Sequence, residues 1–478
     1  MKKNKFKQLL FIGLSMFICA NAQGQTTELR SMIESDNASI NCLSENGEWA
    51  CGSAFNNADG AGNQMNASKW NLTTGERTYL VPEDEIDGAQ SDAFCISNDG
   101  TLVGGQYLYQ PAYNLNGEWH TLSLPNRYLM GEVRDLAIIG TDTIFVGRAF
   151  DGDGFQKVQA VKWVNGVLTT AIDLIPEDFL YDEEGKMMNQ LTGISTDGKI
   201  MLGAIKPLYW PQDPNIEQRV PFIIKDGEFK LLSPKNREEF SKFNKNDVCF
   251  FQEEKLSHNG KFIALQLFAN QMNISCYYDV EKDKFILIEE APANTKCLVV
   301  DNEGNPYYGG PVLTGDFRNT YVSINGKATL IEDVLKANFG VTQEQIDATC
   351  PYDDILKGRL LWIYDISADA KTIIGCAGEG RGTYNWVLKL PYPLTSKTLP
   401  SAIENTINNN LAALYNNGNI SFTDIVNHVE IYNINGQLIQ KQDVEGNTVK
   451  VNFEQGIYVV KMYNTQDNNI TTCKLIIK

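Results

Sequence analysis

One pattern recurs along most of this chain: an apolar strand, a tight turn, a second strand ending near glycine, a loop, a third strand often holding Trp or Tyr, a second turn and a fourth strand. The copies begin INCLSENGEWACG (40–52), FCISNDGTLVGG (94–105), LAIIGTDTIFVG (136–147), LTGISTDGKIMLG (191–203), EKLSHNGKFIAL (254–265), LVVDNEGNPYYG (298–309) and IYDISADAKTIIG (363–375). Their first turns centre on Gly47, Gly100, Asp142, Gly198, Gly260, Gly304 and Ala370, 42 to 66 residues apart, and a glycine follows each by five residues except at Leu265 in the fifth copy. Second turns fall at Thr74-Gly75, Asn116-Gly117, Asn165-Gly166, Asp226-Gly227, Lys282-Asp283 and Asn325-Gly326. Asn-Gly and Asp-Gly accept positive φ in two-residue hairpins, so most copies read as a four-stranded meander. A lone meander cannot bury both faces. Radial packing hides each face against its neighbour, and periods of about 40 to 50 residues mark propeller blades.

The seventh copy stops after TYNWVLKL (383–390), while strand-like TTELRSMI (26–33) precedes the first. The N-terminal segment is therefore expected to supply the missing strand and close the ring. The expected fold class is all-β: a seven-bladed β-propeller over 26–390, then a small Ig-like β-sandwich. Two β-sandwiches with chance turn spacing are the alternative. The phrases IS-x-DG-K and W-x-NG resemble the extracellular HAF-type repeats of secreted bacterial proteins, with WD40 and kelch blades as looser relatives.

The first 22 residues read as a secretory leader: four lysines within Met1–Lys7, an apolar stretch from Leu9 to Ala20, and Ala20-Asn21-Ala22 as the small-residue cleavage site. Ile18 before Cys19 argues against lipidation. No later apolar segment reaches the ~20 residues of a membrane-spanning helix, so no membrane span is expected. With 41 basic and 59 acidic residues among 478 the net charge is −18, and loss of Lys2, Lys3, Lys5 and Lys7 makes it more negative. Such a surface repels phosphate backbones and anionic lipid, so no nucleic-acid partner is expected.

Nine cysteines follow the leader, an odd number without a CxxC pair. Cys42 and Cys51 flank Asn46-Gly47. A two-residue hairpin centred there sets them opposite each other in a non-hydrogen-bonded pair, making them the disulfide candidate; two small buried hydrophobes are the alternative.

From Pro391 to about Thr423 the composition shifts to Pro, Ser, Thr and Asn, and 391–423 reads as a linker. Alternating segments HVEIYNINGQLIQKQDV (428–444), NTVKVNF (447–453), GIYVVKMYN (456–464) and TTCKLIIK (471–478) then fit a small antiparallel sandwich over 424–478. IYNINGQLI, QGIYVVK and terminal KLIIK resemble, in order and spacing, the C-terminal sorting domain (type A) of the type IX (Por) secretion system of Bacteroidota. That resemblance implies an outer-membrane translocon as partner. It also implies a secreted or cell-surface destination reached through the periplasm of a Gram-negative bacterium, commonly with removal of the domain. The family's proline-rich opening strand is replaced here by ALYNNGNIS (413–421). An ordinary Ig-like carbohydrate-binding module is the alternative.

Chemistry leaves few traces. His120, His258 and His428 stand apart from one another and from cysteine, and HExxH, GxSxG and Walker sequences do not occur. No catalytic residue, metal or cofactor is therefore expected. GCAGEGRG (375–382) precedes a strand and reads as a loop rather than a phosphate cradle. Asp151-Gly152-Asp153-Gly154 begins like a calcium loop, yet Lys162 stands where an EF-hand needs glutamate. Tight first and second turns share one end of the blades, which puts long segments such as 53–66, 106–110, 148–158, 204–219 and 266–273 at the other. A helix is expected from the cap-like Thr342-Gln343-Glu344-Gln345 in the 332–361 connection. The loop end carries Tyr107, Tyr109, Phe155, Tyr209 and Trp210 as candidate ligand contacts. The sequence thus favours a non-enzymatic propeller that binds a polysaccharide or protein through its loop face. The alternative is a propeller hydrolase or lyase acting on polysaccharide or peptide, with carboxylates at the channel mouth.

Overall fold

A computed structural model describes residues 27–477 except 33–37, 56–64, 82–89, 152–156, 170, 181–188, 206–219, 235–236, 244–247, 251–253, 271, 311–318, 350–358, 377–384, 396–412, 417–418, 423–425, 434–435, 445–447, 454–455 and 465–468. The chain divides into two compact units, 1–395 and 396–478.

In the first unit the described residues form seven antiparallel sheets, six following chain order and the seventh completed by the N-terminal strand. Their first strands are Ala38–Leu43, Ser91–Ile96, Met130–Ile139, Asn189–Ile194, the split pair Cys249–Phe250 and Lys255–Leu256, Lys296–Val300 and Ile363–Ile366. Each first strand touches the first strand of the next sheet, and the seventh touches the first. This closed inner ring makes the unit a β-propeller. Its fourth strand in the seventh sheet is Glu28–Ser31, paired antiparallel with Asn385–Lys389 in a register that sets Ser31 opposite Trp386 and Leu29 opposite Leu388. The N-terminal strand therefore closes the ring as the sequence implied.

Apolar contact is made mainly between neighbouring sheets. Ile40, Leu43 and Trp70 of the first sheet pack with Ile374 and Val387 of the seventh, and Cys95 of the second packs with Val133, Phe145 and Trp163 of the third. Trp70, Trp163 and Trp386, all on third strands, are fully buried. The recurring glycine has a steric origin. In six sheets the first strand bulges, shifting register between Ile40 and Cys42, Ala93 and Cys95, Val133 and Asp135, Leu191 and Gly193, Cys297 and Val299, and Ile363 and Asp365. The strand's backbone then crowds its partner: a Cβ on Gly105 would stand 1.9 Å from the Asp92 carbonyl oxygen. In the fifth sheet the first strand is split, and there the position is Leu265.

Five first turns differ from the expected two-residue hairpins, whereas the third sheet has one at Gly140-Thr141, ahead of Asp142, with Ile139 paired to Asp142. In the second sheet the Ser97 amide bonds the Leu102 carbonyl at 2.9 Å and the Gly100 amide bonds the Ser97 carbonyl at 3.0 Å, so the loop holds four residues. Ser97 Oγ donates to Asp99 Oδ1 at 2.6 Å and accepts from the Leu102 amide at 3.0 Å. Ser44, Ser195, Ser257 and Ser367 repeat both contacts, which explains the phrase IS-x-DG-K. The hydroxyl satisfies groups that a two-residue turn would have paired by backbone alone. Turns also join one another: the Ala368 amide bonds the Glu45 carbonyl at 2.9 Å, and Asn46, Thr196, Asn259 and Asn302 reach neighbouring turns in the same way. Second turns at Asn116-Gly117, Asn165-Gly166, Asp226-Gly227 and Asn325-Gly326 are two-residue hairpins with both φ values positive, as expected.

The connection after the sixth sheet holds helix Gln343–Asp347, whose N-cap Thr342 and Gln345 form the anticipated capping box. A longer helix, Ile331–Phe339, precedes it and buries Ile331, Val334 and Leu335.

The second unit is a β-sandwich. One sheet orders Leu438–Asp443, His428–Asn433, Gly456–Asn464 and Asn469–Ile477; the other orders Ala413–Asn416, Asn419–Phe422 and Thr448–Lys450. Ile420, Phe422, Val429, Ile431, Val449, Val460 and Met462 fill its core. Strands 413–416 and 419–422 occupy the end of the stretch expected to be linker, and supply the opening strands that replace the proline-rich one.

Candidate functional site

Connections between second and third strands emerge opposite the first turns, because each strand reverses direction. Two expected to be long are tight hairpins. Tyr107 pairs with Gln110, leaving Leu108 and Tyr109 as a two-residue turn, and Ala269 pairs with Met272. The segments 106–110 and 266–273 are therefore mostly strand. Two-residue turns of this kind favour Asn-Gly, which is absent at 108–109, so no local signal marks this hairpin.

At this turn Leu108 and Tyr109 adopt φ of 50° and 66°. Left-handed backbone costs an ordinary side chain about 1–2 kcal/mol. Neighbouring backbone compensates: the Leu108 amide bonds the Gln90 carbonyl at 2.9 Å, and the Gly131 amide bonds the Tyr109 carbonyl at 3.0 Å. Gln110 Nε2 donates to the Leu129 carbonyl at 2.7 Å, tying the turn to the third sheet. Above this frame Leu108, Tyr109 and Leu129 are 48%, 46% and 65% exposed. Sequence reasoning named only Tyr109 of the three, since aliphatic exposure has no signature in a single chain.

Tyr107 does not join them as a free platform. It is half-buried and stacks on Trp119 with ring centroids 5.2 Å apart. Phe155, Tyr209 and Trp210 lie outside the described residues.

A second polar centre occupies the inner ring, where the residue just past each bulge is Cys42, Cys95, Asp135, Gly193, Val299 or Asp365, with Lys255 at the same register in the fifth sheet. Asp365 accepts from the Leu43 and Ile366 amides at 2.8 and 2.9 Å, and Asp135 from the Ile194 and Leu136 amides at 2.8 Å each. Each carboxylate thus bridges its own strand to the next sheet's. Lys255 Nζ reaches past the sixth sheet to Asp365 Oδ1 at 3.0 Å and the Tyr364 carbonyl at 2.5 Å, and His258 Nε2 lies 3.0 Å from the Ile366 carbonyl. Burial pushes Asp135 up to about 6 against the pull of its two amides. Burial also acts to raise Asp365, but Lys255, nearby His258 and the Leu43 amide outweigh it and hold that carboxyl below its usual range. With their oxygens taken up by amides and an ammonium, these carboxylates serve as joints between sheets. Among the described residues no group of three or more His, Cys, Asp or Glu is placed to hold a metal.

Cys42 and Cys51 do stand opposite each other, and both thiols are free. Because Ser44 pairs with Trp49 through the four-residue turn, 42 and 51 fall on a hydrogen-bonded pair, the reverse of the expected phase. Burial pushes the Cys51 thiol well up, and its contact with Cys42 adds to this.

In the second unit Glu430 accepts from Lys441 Nζ at 2.6 Å and from the hydroxyls of Tyr432 and Tyr463 at 2.7 Å each. The Lys441 bond, then the two tyrosines, hold its carboxyl down at about 2. No described helix is long and apolar enough to cross a membrane.

The chain has distant structural counterparts. An oligogalacturonate lyase in complex with manganese is 12% identical over 79% of this chain and 92% of its own, with a TM-score of 0.45. An oligogalacturonate lyase from Vibrio parahaemolyticus is 11% identical over 77% and 98%, also at 0.45. PorZ, a surface component of the type IX secretion system of Porphyromonas gingivalis, is 10% identical over 92% of this chain and 59% of its own, at 0.38. No curated protein matches the chain. Residues 415–478 match the family described as the secretion system C-terminal sorting domain. The β-propeller is therefore the cargo of a type IX sorting signal, exported to the cell surface or beyond.

Proposed function

We propose that this chain is a surface-displayed or released seven-bladed propeller of a Bacteroidota species that binds a polysaccharide or protein through its loop face. In this reading residues 1–22 are a removable leader, 26–390 the HAF-like propeller and 391–423 the approach to the sorting domain. The sorting-domain match supports the export half. The binding half rests on one observation: a strained turn holds Leu108 and Tyr109 out into solvent beside Leu129. Left-handed backbone at two ordinary residues, under exposed apolar side chains, favours a surface used for contact.

Two experiments test the halves separately. Deleting 415–478 confines the propeller to the periplasm; unimpaired export overturns the sorting reading. Exported protein is screened against glycans and displayed peptides beside a Tyr109→Ala variant with an unchanged melting temperature. Ligands that weaken at least tenfold support the loop face, and undiminished binding of every ligand overturns it.

A further inference from the structure

The geometry points to a protein rather than a glycan as the occupant of the Leu108–Tyr109–Leu129 patch, specifically a basic protein that inserts apolar side chains. This rests on the loop-face reading above and narrows its ligand class.

Sugar recognition combines an aromatic floor with polar side chains free to bond hydroxyls. Here four polar groups of the frame are used by the protein itself. The Leu108 and Leu129 amides bond the Gln90 and Phe150 carbonyls at 2.9 and 3.0 Å, the Tyr109 carbonyl receives the Gly131 amide, and the Gln110 amide nitrogen is committed to the Leu129 carbonyl. What is presented outward is one tyrosine and two leucines, Tyr109, Leu108 and Leu129, at 46%, 48% and 65% exposure. Mainly aliphatic surface over this frame gains little from a hydroxyl-rich polymer. It gains from the desolvation of another apolar cluster, the arrangement found at centres of protein interfaces.

Pinning also matters. Three of these bonds tie the turn and Leu129 across to the Gln90 segment and the third sheet, so the patch loses little freedom on binding. The net charge of −18 selects among proteins, since long-range attraction favours a basic partner and repels acidic ones, including anionic polysaccharides.

The test uses the full exported chain as bait for a displayed library of random 12-residue peptides and, in parallel, for an array of neutral and acidic glycans. Wild type is compared with Leu129→Ser and Tyr109→Ser, each checked for an unchanged melting temperature, with Val167→Ser as a surface control elsewhere. The expected result is enrichment of peptides that pair apolar residues with Lys or Arg. Their affinity should fall at least tenfold in both patch variants, hold in the control and weaken with added salt. Glycans bound in a Tyr109-dependent way, without such peptides, overturn the protein assignment while leaving the loop-face reading intact. Absence of enrichment, or peptides bound equally by all variants, overturns the assignment as well.

Discussion

Asp365 Oδ2 accepts a hydrogen bond from the Leu43 amide at 2.8 Å across 322 residues of sequence, joining the last sheet of the ring to the first. Its other oxygen lies 3.0 Å from Lys255 Nζ, and the side chain is 5% exposed. Asp135 makes the matching bond to Ile194 between the third and fourth sheets. Closure therefore has two independent parts, the Glu28–Ser31 strand at the rim and a carboxylate at the axis.

Replacing Asp365 leaves two strand amides without their acceptor and a partly buried ammonium without its counter-charge. Loss of one partner of a buried pair costs about 3–5 kcal/mol. Asp365→Ala should lose stability near that range, and Asp365→Asn less, because its amide oxygen still accepts from one strand. Urea unfolding gives the ranking, and an alanine variant within about 0.5 kcal/mol of wild type would show that the joint is dispensable.

Two turn glycines with similar backbone separate strain from crowding. Gly100 (φ 70°) would place a Cβ 2.3 Å from the Trp49 ring, whereas Gly117 (φ 98°) has nothing within 4 Å. Gly117→Ala should cost about 1–2 kcal/mol from the left-handed backbone alone. Gly100→Ala should cost clearly more, because Trp49 must move from the joint between the first two sheets. Equal melting temperatures for the two variants would contradict this account.

Glu332 carries a pH dependence. Its side chain lies in the first turn of helix Ile331–Phe339, is 6% exposed, and accepts the Leu360 amide through Oε1 at 2.5 Å, while Oε2 has no partner. Burial pushes its carboxyl from 4.5 up to about 7, opposed by the Leu360 amide and Arg359 and aided by Asp333. With the folded value above the unfolded one, the protonated group's contribution is complete below about pH 4.5 and lost as pH rises through about 7. The shift corresponds to a ceiling of about 3 kcal/mol. Glu332→Gln should flatten the fall in stability between pH 5 and 8 and melt above wild type at pH 8, as read by thermal unfolding. Parallel pH profiles would reject the assignment.

Local chemistry made much of this protein legible before any coordinates. The Asn-Gly and Asp-Gly second turns, the glycine five residues past six of the first turns, and the unmatched strand at 26–33 all follow from backbone rules that act over a few residues, and their repetition implies the ring. The same locality misread what lacked a local signal. Ser44, Ser97, Ser195, Ser257 and Ser367 turned five first hairpins into four-residue loops through hydroxyl bonds, which reversed the hydrogen-bonding phase at Cys42 and Cys51. Leu108-Tyr109 formed a hairpin that its residues disfavour.

What the sequence determined by itself was the repeat, the class of fold and the export signal, since each is written in contiguous residues. Only the tertiary structure decided which side chains meet. It put Asp365 on Leu43 and Lys255, moved Tyr107 under Trp119, and left Leu108, Tyr109 and Leu129 together in solvent. Those outcomes depend on packing between segments far apart in the chain, where burial and long-range hydrogen bonds outweigh the preferences of any single residue.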